Sequence, residues 1–85
     1  MTTYKIQYIG LDHEVVEVAT HLRLDGDHTM MQILLNNMEV RGIPYAKVLR
    51  WNETLGTYEN VSKEVFTMNR DRMIKIIKNA IKEDK

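Results

Sequence analysis

The sequence predicts an α+β fold, with an antiparallel four-stranded sheet, two helices on one face of it, and the element order ββαββα. Three observations predict it. Apolar and polar residues alternate near the N-terminus, two later segments repeat apolar residues at helical spacing, and a turn-forming segment separates two runs that contain aromatics. A length of 85 residues suits one domain, and we expect residues 1–85 to form it.

The first two strands are expected close to the N-terminus. Between Thr3 and Ile9, apolar side chains alternate with Lys5 and Gln7, which is the period of a half-buried strand. A second run, from Glu14 to Leu24, is predicted to return as its antiparallel partner. The branched apolar residues of this second run are predicted to share one face: Val16, Val18, Leu22 and Leu24.

A helix is predicted to follow the Asp25-Gly26-Asp27 turn. Asp27 or Thr29 is expected to cap its first turn, and Gly42 is suited to the left-handed position that ends it after about Arg41. Apolar residues recur with helical spacing along the segment, at Met31, Leu34, Leu35 and Met38.

The second hairpin is predicted from two runs around a turn. Tyr45 to Trp51 has strand character, Asn52 to Gly56 has turn character, and Thr57 to Phe66 is expected to be the return strand. Trp51 and Tyr58 flank the turn and are expected to form a cross-strand aromatic pair.

The last helix is expected to be capped by Thr67 or Asn69 and to run to about Lys82. Its apolar residues predict a buried stripe made of Met73, Ile74, Ile77, Ala80 and Ile81. Its cations are predicted to lie largely on the opposite side, at Arg72, Lys75, Lys78 and Lys82.

Charge and composition restrict the classes of function. Twelve basic and twelve acidic residues cancel, although residues 63–85 carry seven basic and four acidic side chains, a net charge of +3. The basic side of the last helix therefore supports an alternative hypothesis, nucleic-acid binding through Arg72, Lys75, Lys78 and Lys82. The chain contains no cysteine, has no pattern of a signal peptide and no long apolar run, so we expect a cytoplasmic protein without membrane contact.

Catalytic and metal-binding patterns are weak. His13, His21 and His28 lack the close spacing that a zinc site usually shows, and turn chemistry accounts for Asp25 and Asp27. Ser62 is the only serine and has no histidine near it in sequence. We therefore predict no cofactor, no metal and no enzymatic activity.

The leading hypothesis is a small non-enzymatic interaction or regulatory protein that acts by protein–protein contact, with a homodimer as one form of that contact. Adjacent Met30 and Met31 are expected to divide between the core and an adaptable binding surface. The residues predicted to bind a partner are Met30, Met31, Met38, Trp51 and Tyr58. In its general character the chain resembles small accessory proteins of bacteriophages and mobile elements, although no residue pattern carries this resemblance.

Overall fold

A computed structural model describes residues 1–83. The elements are β1 (Thr2–Ile9), β2 (Val15–Leu24), α1 (Asp27–Arg41), β3 (Tyr45–Asn52), β4 (Thr57–Asn60), α2 (Ser62–Thr67) and α3 (Arg70–Glu83). The four strands form one antiparallel sheet in the order β2-β1-β3-β4. The predicted α+β class and the four-stranded antiparallel sheet are confirmed, and α2 is an additional helix.

The hydrophobic core lies between one face of the sheet and the helices. Alternate residues of β1 (Tyr4, Ile6 and Tyr8) are buried there together with Val48 of β3. The predicted stripe of α1 is confirmed, because Met31, Leu34, Leu35 and Met38 are all buried. Both core tyrosines also hold α1 by hydrogen bonds. The Tyr4 hydroxyl donates to Asp27 (2.5 Å), and the Tyr8 hydroxyl accepts from Asn37 Nδ2 (3.0 Å).

The expectation that Met30 and Met31 divide between core and surface is wrong. Met30 is fully buried, and Met31 retains only 5% of its exposed area. The reason is that α2 and α3 pack against α1 in addition to the sheet, so α1 buries two neighbouring sides rather than one narrow stripe.

The return strand predicted to reach Phe66 ends at Asn60, because the chain turns into α2. Asn60 Oδ1 accepts hydrogen bonds from the backbone N–H (3.0 Å) and the hydroxyl (2.7 Å) of Ser62, which is a side-chain-closed turn. Val48 N–H then donates to Ser62 Oγ (2.7 Å) instead of to a further strand residue. Val61 and Val65 are both buried, and their separation of four residues is that of a helix.

The single apolar face predicted for β2 is also wrong. Leu22 and Leu24 pack against the core, whereas Val16 and Val18 are 54% and 48% exposed. Two irregularities in the pairing with β1 cause this, and the first lies between the pairs Tyr4–Leu22 and Ile6–Ala19. His21 stands in this bulge with φ 58°, and the extra residue reverses the faces of the side chains that follow.

Helix α3 is rotated relative to the predicted stripe. Met73, Ala80 and the unanticipated Ile76 are buried, while Ile74 and Ile81 are 41% and 42% exposed. The helix packs on α1 and α2, and apolar residues occupy more of its circumference than those two neighbours cover.

The predicted ends of the helices are confirmed in two cases and wrong in one. Gly42 has the left-handed φ of 64° after α1, and Asn69 Oδ1 accepts from Arg72 N–H (3.4 Å) at the start of α3. At the start of α1, however, Gly26 is the cap residue, and no side chain caps the helix. The Asp27 carboxylate instead binds Tyr4 and Arg50.

Candidate functional site

The sheet face opposite the helices is left uncovered by them. Residues that pair directly across strands point to the same face, so the pairing of Lys5 with Leu49, Gln7 with Lys47, and Thr3 with Arg23 places all six there. We call this surface the open face. Its strand positions are Thr3, Lys5, Gln7, Ile9, Val15, Val18, Arg23, Tyr45, Lys47, Leu49, Trp51, Tyr58 and Asn60.

Three cations cross the open face on neighbouring strands. Arg23 on β2 lies opposite Thr3, Lys5 follows on β1, and Lys47 on β3 lies opposite Gln7, so the cations form a diagonal. Within residues 1–83, none of the strand positions on this face holds an Asp or Glu. The strand carboxylates Glu17 and Glu59 point to the helix side, and others lie in the turns that end the strands. The strand positions of the open face therefore carry a net positive charge.

An aromatic corner adjoins this diagonal. Trp51 and Tyr58 pair across β3 and β4 with ring centroids 5.2 Å apart in an edge-to-face arrangement, which confirms the predicted pair. Lys5 Nζ lies 4.9 Å from the centroid of the Tyr58 ring, within cation–π distance. Trp51 remains 37% exposed. On the other side of the diagonal, His13 stacks on Tyr45 with centroids 5.4 Å apart, next to Ile9.

A cleft of about 540 Å³ lies at the end of the sheet where α1 begins. Arg50 is its central polar group. One of its nitrogens donates to Asp27 Oδ2 (2.7 Å), and the other donates to Glu59 Oε1 (3.2 Å) and lies 3.9 Å from Glu64 Oε2. Trp51 forms part of the wall, so the cleft meets the open face at the aromatic corner.

The polar groups of this cleft are engaged with one another. Burial, then the hydrogen bond to Asp27 and its charge, raise the pKa of the Tyr4 hydroxyl well above its usual value near 10. Burial alone would lower the pKa of Arg50, but hydrogen bonds to Glu59 and Asp27 outweigh it and raise that pKa. Tyr4 therefore stays a neutral donor and Arg50 a cation at ordinary pH. This arrangement ties the start of α1 to β1, β3 and β4.

The structure divides the residues predicted to bind a partner. Trp51 and Tyr58 lie on the open face, where a partner can reach them. Met30 and Met38 are core side chains without accessible surface, and Met31 keeps only 5% of its area. Their inclusion in a binding surface is therefore corrected. The cations Lys5, Lys47 and Arg23 were missed, although each occupies a polar position of an alternating strand, which is the signal that could have indicated them.

The cations of α3 are only partly available. Arg72 donates to Asn36 Oδ1 (2.6 Å) and Glu39 Oε1 (3.2 Å) of α1, so it joins the two helices. Lys75, Lys78 and Lys82 are exposed.

The residues considered for metal binding and catalysis lie apart. In the part of the chain that the structure describes, no three His, Cys, Asp or Glu side chains converge as metal ligands would. His13 stacks on Tyr45, and His21 stands in the β2 bulge. The Ser62 hydroxyl bonds to Asn60 and to the backbone of Val48, not to a base.

The free edge of the sheet at β2 is irregular. Its second bulge, at Val16, lies between the pairs Tyr8–Glu17 and Ile9–Val15. Bulges on an edge strand hinder pairing with another strand. They therefore weigh against edge-to-edge pairing as the route to the predicted homodimer, which stays a prediction.

Comparison with known proteins finds no family model that matches this chain, and no curated protein or solved structure that is significantly similar to it. No helix within residues 1–83 combines the length and the apolar character needed to cross a membrane.

Proposed function

We propose that the chain is a small non-enzymatic interaction protein with a regulatory role, which acts by protein–protein contact through the open face. The observation that supports this most is the exposed Trp51, paired with Tyr58 on a face that no element of the described chain covers. Tryptophan and tyrosine are enriched among the residues that dominate binding energy in protein interfaces.

The state of the polar groups in the cleft favours binding over catalysis. A catalytic group needs a free proton, lone pair or nucleophile directed at a substrate. Here the donors of Arg50 are engaged by Asp27 and Glu59, and the Tyr4 hydroxyl is engaged by Asp27. We interpret these hydrogen-bonded groups as the support of the aromatic corner.

We also propose that the protein is cytoplasmic, because the chain contains no cysteine.

Affinity capture with matched variants tests this function. The tagged protein, Trp51→Ala and Leu55→Ala are compared in their native cell extract by quantitative mass spectrometry. Leu55 is the control because it is 66% exposed and lies in the turn beside the aromatic corner. We expect the parent protein and Leu55→Ala to capture the same partner protein. Trp51→Ala should recover at least about tenfold less of that partner. Equal recovery with all three proteins would contradict the proposal.

The second candidate function is nucleic-acid binding by α3. The exposed Lys75, Lys78 and Lys82 favour it, since each phosphate contact releases counterions. The engagement of Arg72 with Glu39 leaves three cations rather than four, which reduces the expected slope of log K against log salt to about −2 to −3. Single- and double-stranded probes are tested for binding at low salt. This function would be supported instead if the double variant Lys75→Glu with Lys78→Glu abolishes binding and keeps the helical circular dichroism signal.

A further inference from the structure

We infer that the partner of the open face is an acidic protein segment that carries apolar side chains. This inference rests on the proposed function and names its partner class. A partner complementary to the diagonal of Arg23, Lys5 and Lys47 carries negative charge. A partner complementary to the apolar areas on its two sides carries apolar side chains. These areas are the Trp51–Tyr58 corner with Leu49, and Ile9 with Val15 and Val18.

The spacing of the cations suits carboxylates on a regular segment. Strands lie about 4.8 Å apart, and two residues advance a strand by about 6.7 Å, so neighbouring cations of the diagonal start about 8 Å apart. Glutamates one turn apart on a helix (about 6 Å) or two apart on a strand can meet them with flexible side chains.

A second copy of the chain is a poor occupant of this face. Two open faces in contact would bring together two sets of Arg23, Lys5 and Lys47, and like charges placed opposite one another cost several kcal/mol at an interface. Self-association of the proposed kind would therefore have to use another surface.

Nucleic acid also fits this face less well than an acidic protein does. Unpaired bases bind by stacking on free aromatic faces. Lys5 covers the Tyr58 ring, and His13 covers the Tyr45 ring, so Trp51 is the aromatic side chain of this face that offers the most free area. A protein segment can instead pack beside these rings without displacing their contacts.

The size of the face sets the expected strength. The strands of 8, 10, 8 and 4 residues present a flat area of roughly 480 Å², below the roughly 800 Å² that each partner contributes to an interface of standard size. We therefore expect a transient contact with a dissociation constant on the order of 10–100 μM.

Trp51 is the only tryptophan of the chain and reports directly on this surface. Its emission is followed while the full chain is titrated with a short glutamate-rich peptide containing leucines. The same peptide with lysine in place of glutamate and an oligothymidylate of similar charge are titrated in parallel. We expect saturable binding of the glutamate peptide, weakened by about tenfold in Lys47→Glu, because one attraction becomes a repulsion. Lys78→Glu, the same charge change on α3, should alter binding by less than about twofold, since screening limits the reach of a distant charge.

The alternative outcomes are separable. Equal binding of both peptides, or an unchanged affinity in Lys47→Glu, would overturn the inference. Tighter binding of oligothymidylate would assign the face to nucleic acid, and a dimer by light scattering that Trp51→Ala dissociates would assign it to a second copy. If Trp51→Ala loses its cellular partner while the glutamate peptide fails to bind, the proposed function stands and the acidic partner does not. If Trp51→Ala keeps its cellular partner and the glutamate peptide also fails to bind, both the proposed function and the acidic partner are contradicted.

Discussion

The two faces of the sheet differ in what their side chains contact. On the helix side, the apolar residues of β1 and β3 are buried under α1, and the charged residues Arg50 and Glu59 pair with one another at the end of the sheet. On the open face, apolar residues stay partly exposed, and three cations have no strand carboxylate within residues 1–83 to pair with. The side chains of the helix side therefore stabilise the fold, whereas those of the open face remain exposed to a binding partner.

The largest expected effect lies on the helix side. Leu34→Ala removes a fully buried side chain from α1 and should lower the free energy of unfolding by about 3 kcal/mol through lost burial and a residual cavity. Urea unfolding followed by far-UV circular dichroism measures it. Val40→Ala is the matched control on the same helix, because Val40 is 85% exposed, and it should change stability by less than about 0.5 kcal/mol. Similar losses of unfolding free energy in Leu34→Ala and Val40→Ala would contradict this expectation.

An intermediate effect is expected for the tyrosine hydroxyls of the two faces. Tyr4→Phe removes a hydrogen bond to the Asp27 carboxylate and should cost about 1.5 kcal/mol at neutral pH, since the acceptor is charged. Tyr58→Phe on the open face is the control and should cost much less. Chemical unfolding of both variants at pH 7 provides the comparison, and a greater loss in Tyr58→Phe would contradict it.

The same hydroxyl predicts a dependence on alkaline pH. Because the folded pKa of Tyr4 is raised, its contribution to stability is complete below the unfolded pKa near 10 and falls as the pH rises from there toward the folded pKa. The parent protein should therefore lose stability above pH 10 more steeply than Tyr4→Phe. Thermal unfolding between pH 9 and about 11 tests this, and parallel curves for the two proteins would exclude it.

The smallest effect is expected on the open face itself. Val18→Thr preserves shape at a half-exposed strand position and should change stability by less than about 0.5 kcal/mol. Val48→Thr makes the same change on the fully buried helix side and should cost about 1–3 kcal/mol, because a hydroxyl is placed among apolar groups. Thermal unfolding of the pair sharpens the comparison, and equal shifts would argue that the open face is covered in solution.

Local periodicity predicted most of the fold. The alternation in β1, the helical spacing in α1 and the left-handed glycine at Gly42 depend on neighbouring residues, so the sequence alone indicates them. The segment of the short helix α2 fits a strand equally well by sequence, because Val61 and Val65 match either period over so few residues. The buried side of α3 depends on where α1 lies, and isoleucines at positions 74, 76 and 81 are equivalent until that is known.

The candidate surface was predicted only where its members are close in sequence. The Trp51–Tyr58 pair spans one turn and was found. Lys5 and Lys47 come together through the pairing of β1 with β3, which no local pattern specifies. The hydrogen bonds among Tyr4, Asp27, Arg50 and Glu59 join four elements and depend on the same tertiary arrangement.

The bulge at His21 also determines how β2 tolerates changes in length. Because strand side chains alternate, the extra residue acts as a shift of phase: before it Val18 points outward, and after it Leu22 and Leu24 point inward. Deleting one residue here would remove the bulge and let β1 and β2 pair regularly, with Leu22 and Leu24 still on the helix side. If β2 paired regularly at its present length instead, Arg23 would be directed at the core and its leucine neighbours at water. The strand can therefore lose a single residue at this position and still direct its leucines at the core.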